Sequence, residues 1–172
     1  SKDFKIGALS LLAICLIAPL EFGFSGIPVT LQSLVIFVCA GLMRPKISAT
    51  VLLLYLLLGG FGLPVFADYH AGWAKLVGPT AGFLWGFLVV AVFISWQVQQ
   101  KELHFFNAIV LVFVAHFLLL LPGFIVLEIQ MPAAKLWPTF VGLIPGLLFK
   151  SMAGGLLLAY LRAKVHRPLA AA

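Results

Sequence analysis

Six long stretches of the chain contain no Asp, Glu, Lys or Arg: residues 6–20, 22–43, 47–67, 76–100, 103–127 and 136–149. A membrane-crossing helix needs about 20 mostly apolar residues, and all six stretches are of that scale. The pattern predicts an all-α polytopic membrane protein: a compact bundle of six transmembrane helices in a single domain over residues 1–172. It disfavours a transmembrane β-barrel, whose strands alternate apolar and polar residues over about ten positions.

The punctuation between stretches sets the element boundaries. Span one covers about residues 4–20, and its Gly7, Ala8, Ser10 and Ala13 suit a helix-packing face. Residues 21–30 contain Gly and Pro, which break helix, and Val29 and Thr30, which favour extended backbone. An outer loop that dips inward is expected there. Span two ends at Met43. Span three, about residues 47–58, is short: about 12 residues cover roughly 18 Å of an apolar layer about 30 Å thick. The following GGFGLPVF, residues 59–66, must complete the crossing as irregular backbone packed inside protein. Span four opens at Gly78-Pro79-Thr80, and Gly82 and Gly86 form a GxxxG face for close helix contact. Span five carries Asn107 and His116. An outer loop is expected over residues 122–138, then span six over about residues 139–161.

Composition agrees, with 63% hydrophobic and 9% charged residues. Those values exclude a disordered chain and argue against an ordinary soluble domain. The net charge of +6 raises nucleic acid as a partner, but the placement of the cations removes it. Lys2, Lys5, Arg44, Lys46, Lys101, Arg162, Lys164 and Arg167 fall on alternate loops. The positive-inside rule puts those loops and both termini in the cytoplasm. Cys15 and Cys39 are expected at different depths, too far apart for a disulfide. Residues 1–18 have the outline of a signal peptide, but removing them would leave an odd number of spans. They are read as span one.

The candidate chemistry gathers around residues 59–87. Asp68, Tyr69, His70, Trp73 and Lys75 lie within eight positions, between two glycine-rich flanks. Thr80 sits at a helix start, where free N–H groups and the helix dipole favour an anion. Gln32, one turn into span two, needs a partner in the membrane, either a ligand or neighbouring backbone. Tyr55 reads as an interfacial anchor or a ligand contact. His116, mid-span, reads as a helix-to-helix hydrogen bond or a ligand contact. Lys150 is the sharpest single residue. It lies about 16 Å into span six, too deep to snorkel comfortably, just after a helix-loosening Pro145-Gly146.

No P-loop, HExxH, GxSxG, metal-spaced Cys/His cluster or paired carboxylate site occurs. The chain is read as a non-enzyme with no cofactor and no metal. At 18.6 kDa, with six short spans and no duplicated halves, it reads as a component and not a whole pump.

VTLQSLVIFVCAGLMRPK, LLLYLLLGGFGLPVFA, GPTAGFLWGF and IPGLLFK, in that order across about residues 27–150, resemble the BioY family. These are biotin-specific substrate-binding subunits, or S components, of energy-coupling factor transporters. The resemblance implies a six-helix bundle in the bacterial plasma membrane. It would bind biotin beneath the loops after helices one, three and five. It implies two kinds of protein partner: a transmembrane coupling protein and two cytoplasmic ATPases. A site for biotin would draw charge from Lys150, Lys75, His70 and the start of span four. Hydrogen bonds would come from Gln32, Asp68, Thr80 and His116, and walls from Tyr55, Trp73 and nearby Phe residues. The chain departs from the family at three places. Leu147 stands where the family often has Asp after Pro-Gly, and Asp68-Tyr69-His70 replaces part of a glycine-rich loop. Ala8 and Ala13 do not have the AxxxA spacing through which the first helix of S components docks the coupling protein. An S component for another small vitamin is the alternative, with a small membrane enzyme or a purely structural subunit further off.

Overall fold

The computed structural model describes residues 1–24, 27–100, 103–130 and 132–165. Lys101 and Arg167 of the charge pattern lie outside them. Seven α-helices and one hairpin are present: α1 (Lys2–Ile17), β1 (Glu21–Phe24), β2 (Ile27–Thr30), α2 (Gln32–Leu42), α3 (Pro45–Gly60), α4 (Trp73–Val77), α5 (Ala81–Gln100), α6 (Phe105–Gln130) and α7 (Ala133–Val165). All except α4 fall on the six charge-poor stretches. α5, α6 and residues Lys135–Val165 of α7 are long and apolar enough to cross a membrane, whereas α2 and α3 are apolar but shorter.

α1 packs on α3, α3 on α5, α5 on α6, α6 on α7, and α7 on α2, which returns to α1. α2 also touches α5 and α6, so it runs through the middle of the bundle. Nine of its eleven residues are buried, which leaves almost no face for lipid. α6 and α7 show the opposite pattern. Phe113, Phe117, Leu121, Ile125, Leu148 and Phe149 are exposed large apolar side chains, as expected where the solvent is hydrocarbon. The core holds Phe37, Leu52, Tyr55, Ile94 and Leu158, all fully buried.

Several local expectations change. The expected outer loop over residues 122–138 is mostly helix: α6 runs through Pro122 to Gln130, and α7 starts at Ala133. An internal Pro removes one helical hydrogen bond and costs about 3 kcal/mol, but packing decides here. A Cβ on Gly82 would collide with the Pro122 carbonyl oxygen, and one on Gly123 with the Phe83 ring. The Gly82/Gly86 face therefore does seat α5 against α6. Arg162 and Lys164, expected beyond the last span, are inside α7. On α1, Gly7 and Ser10 are buried while Ala8 is exposed, so the small-residue face holds only in part.

The segment 21–30 is extended, as Val29 and Thr30 suggested, but it pairs with itself. Glu21 lies opposite Thr30 and Phe24 opposite Ile27 in an antiparallel hairpin, which supplements the all-α reading. After α3, Gly62 takes φ 107° to turn the chain back. Gly59 and Gly60, expected to open the irregular stretch, instead close α3, which is longer than the expected 47–58; residues 61–66 are non-helical apart from turns. A 3-10 turn at Ala67–Tyr69 and the short α4 then lead to α5.

Candidate functional site

The hairpin, the 61–80 segment and the adjoining ends of α2, α5, α6 and α7 line a half-open cavity of about 450 Å³. That falls within the 300–1,000 Å³ usual for small-molecule sites. Apolar walls come from Phe83, Leu84 and Phe87 of α5 and from Leu119, Leu120 and Leu127 of α6. α7 contributes Thr139, Leu143, Leu147 and Lys150, spaced four, four and three, which is one face of a helix.

Lys150 lines this cavity and is partly buried. It has neither a carboxylate nor a hydrogen-bond acceptor among the described residues. The acids of the cavity are Glu21 and Asp68, and Leu147, one turn before Lys150 on the same face of α7, is a buried apolar side chain.

His116 also lines the cavity, but its ring is already engaged on both sides. Nδ1 is 2.9 Å from the Val112 carbonyl oxygen. Nε2 is 3.1 Å from Ser33 Oγ. A carbonyl only accepts, so Nδ1 carries the proton and Nε2 accepts from the Ser33 hydroxyl. Ser151 Oγ lies 3.1 Å from Nδ1. His116 thus ties α6 to α2 and α7, and the helix-to-helix reading describes it better than that of a free donor.

Gln32 opens α2 and lines the cavity; its Nε2 donates to Tyr55 Oη at 2.7 Å. Tyr55 donates in turn to the Val65 carbonyl at 2.9 Å and is fully buried. Expected as an anchor or a wall, Tyr55 instead stands behind Gln32, away from the cavity. Trp73 is likewise absent from the wall. It is half exposed, and its indole packs over Gly60 and edge-on to Phe61 at 5.3 Å. The extension of α3 to Gly60 supplies that seat.

Asp68, His70, Lys75 and Thr80 line the cavity, and Asp68, His70 and Thr80 are exposed. The loop is fixed both from outside and by its own backbone. Asp68 N–H donates to the Pro19 carbonyl at 3.1 Å, and Phe66 N–H donates to that of His70. Asp68 and Tyr69 both take φ 54°, and the Asp68 carboxylate lies 3.9 Å from His70 Nδ1. Seven of the nine expected site residues therefore share one cavity. Sequence reasoning missed Glu21, Thr30, Ser33 and Thr139. Walking back along the helix from Lys150 would have reached Thr139, and Ser33 adjoins Gln32. Glu21 and Thr30 meet only through hairpin pairing.

What the arrangement can do is hold a small, mostly apolar molecule that carries an anionic group and hydrogen-bonding groups. Comparison with known proteins narrows this. The model of the BioY family matches residues 2–167. A protein of Lactococcus lactis subsp. cremoris named biotin transporter BioY2 is 38% identical over 127 residues, 71% of this chain and 70% of that one. The biotin transporter BioY of Thermotoga maritima is 41% identical over 76 residues, 44% of this chain and 45% of that one. The crystal structure of the S-component for biotin from an ECF-type ABC transporter superposes with a TM-score of 0.72. It covers 94% of this chain and 88% of that one at 23% identity, a likeness of fold. With a family match over nearly its whole length and the S-component fold, this multi-pass membrane protein belongs to the BioY family.

Proposed function

We propose that the chain is a biotin-uptake protein, a membrane-embedded substrate-binding subunit that captures biotin from the outer side. The observation that carries this is Lys150. Its amine faces a cavity inside an apolar bundle without a protein counter-charge among the described residues. An intramembrane cation calls for a partner, and biotin brings a carboxylate. In this reading the carboxylate pairs with Lys150. The ureido ring meets Gln32, with Asp68 and Thr80 nearby, and the apolar body lies against Phe83, Phe87 and Leu119. His70 and Lys75 at the rim attract the anion, while His116 braces the helices behind.

α1, α2, α3, α5, α6 and α7 are then the six membrane helices, with both termini cytoplasmic because Lys and Arg cluster at their end of the bundle. The cavity opens to the outside, in the bacterial plasma membrane. Release inward is driven by a coupling protein and two ATPases, for which the chain has no nucleotide motif of its own.

Calorimetry of the purified protein with biotin tests the reading; saturable binding at one site is expected, and its absence overturns the proposal. Leu147, in a place the family often gives to Asp, favours one second reading: a different small vitamin. Competition of biotin with riboflavin and thiamine separates the two.

A further inference from the structure

Tyr55 is a buried phenol with a single proton, and two groups compete for it. The Val65 carbonyl, 2.9 Å away, can only accept, so the proton goes there. The phenol oxygen is then an acceptor toward Gln32, 2.7 Å away, and only the amide nitrogen of Gln32 can donate to it. The amide is held with Nε2 toward Tyr55 and Oε1 turned away. Oε1 has no hydrogen-bond partner among the described residues, and the residue lines the cavity. We infer that Tyr55 is a positioning and specificity residue: it locks the Gln32 amide so that the cavity meets a carbonyl acceptor, selecting a ligand with an N–H donor.

The inference rests on the biotin reading for the identity of that donor, a ureido N–H. The lock itself needs no ligand. Its polarity is set by a backbone carbonyl of the irregular 61–66 segment, so the preference is written by the main chain through two side chains. The Tyr55 ring has its own seat, edge-on to Phe66 at 5.6 Å. Removing the hydroxyl alone therefore frees the amide to turn without emptying the core.

Two measurements test this. The first is the affinity of purified wild type, Tyr55→Phe, Gln32→Ala and the double variant for biotin and for biotin methylated at either ureido nitrogen. Wild type should prefer biotin over at least one methylated form. Tyr55→Phe should narrow that preference about fivefold to tenfold, the scale of one buried hydrogen bond. In the Gln32→Ala background the same change should do nothing further. A preference unchanged by Tyr55→Phe, or one lowered equally in both backgrounds, overturns the inference. The second is NMR of the ligand-free protein labelled at Gln side chains. One Gln32 amide proton should exchange slowly, and Tyr55→Phe should abolish that protection; two equally exchanging protons in wild type overturn the lock. Failure of wild type to bind biotin counts against the functional reading alone, because the exchange measurement still decides this one.

Discussion

α7 carries two cations into the bundle, and the two ends of the molecule treat them differently. At the end where α1 begins and α7 ends, Arg162 donates to the carbonyls of Gly41 and Val98, the latter contact a short one. Those are last-turn oxygens of α2 and α5, which no helical N–H reaches. Ser95 Oγ lies 2.8 Å from the carbonyl oxygens of Ala40, in the last turn of α2, and Ala91, one turn back in α5, and shares its single proton between them. Polar groups there close the bundle. At the cavity end Lys150 has no such partner among the described residues, and the surrounding backbone is hairpin, turn and short helix. The lesson is that an intramembrane cation alone does not mark a site. Its lack of a partner among the described residues, beside a cavity, does.

Lys150→Ala should have the largest effect. Removing one partner of a buried charge pair costs about 2–5 kcal/mol, so biotin affinity should fall about a hundredfold by calorimetry while thermal stability holds. Unchanged affinity would erase the distinction between the two ends. Arg162→Met should give the mirror image. It strands two carbonyls, with an expected loss of about 2 kcal/mol or more in unfolding free energy. Biotin affinity should stay within about twofold, because the sites are remote. Thermal unfolding in detergent and calorimetry together would show whether the ends are independent. Lys75→Ala should act at the rim: a slower, less salt-sensitive association, with affinity reduced about threefold at most. Stopped-flow binding at two ionic strengths measures it. Tyr69→Gly should do least. It relieves a left-handed φ at an exposed position, for a gain of about 0.5 kcal/mol, visible as a small rise in unfolding midpoint with binding unchanged.

Much of this was legible in the residues because lipid simplifies the code. Charge-free stretches marked where the helices lie, the Gly and Pro residues after span three foretold irregular backbone, though it begins two residues later than expected because α3 runs on to Gly60, and the depth of Lys150 pointed at a cavity. What failed were the places where packing overrides local propensity. Pro122-Gly123 reads as a break, yet Phe83 and Gly82 hold it inside a helix. Tyr55 and Trp73 read as walls. Which side of a helix meets the cavity depends on crossing geometry, and the linear pattern does not carry it. The Glu21–Thr30 pairing was hidden for a related reason. Strand register joins residues nine apart, with nothing in either one announcing the other.

The burial of α2 has one more consequence. Hydrophobic mismatch is felt by helices whose sides touch acyl chains, which tilt or bend when the bilayer thins or thickens. At eleven residues, α2 is too short to match any membrane. It is also shielded enough not to need to. A change in lipid chain length will load α6 and α7 first. The helix that presents Gln32 rides inside them like an axle inside its housing, and its register is set by protein neighbours instead of by membrane thickness.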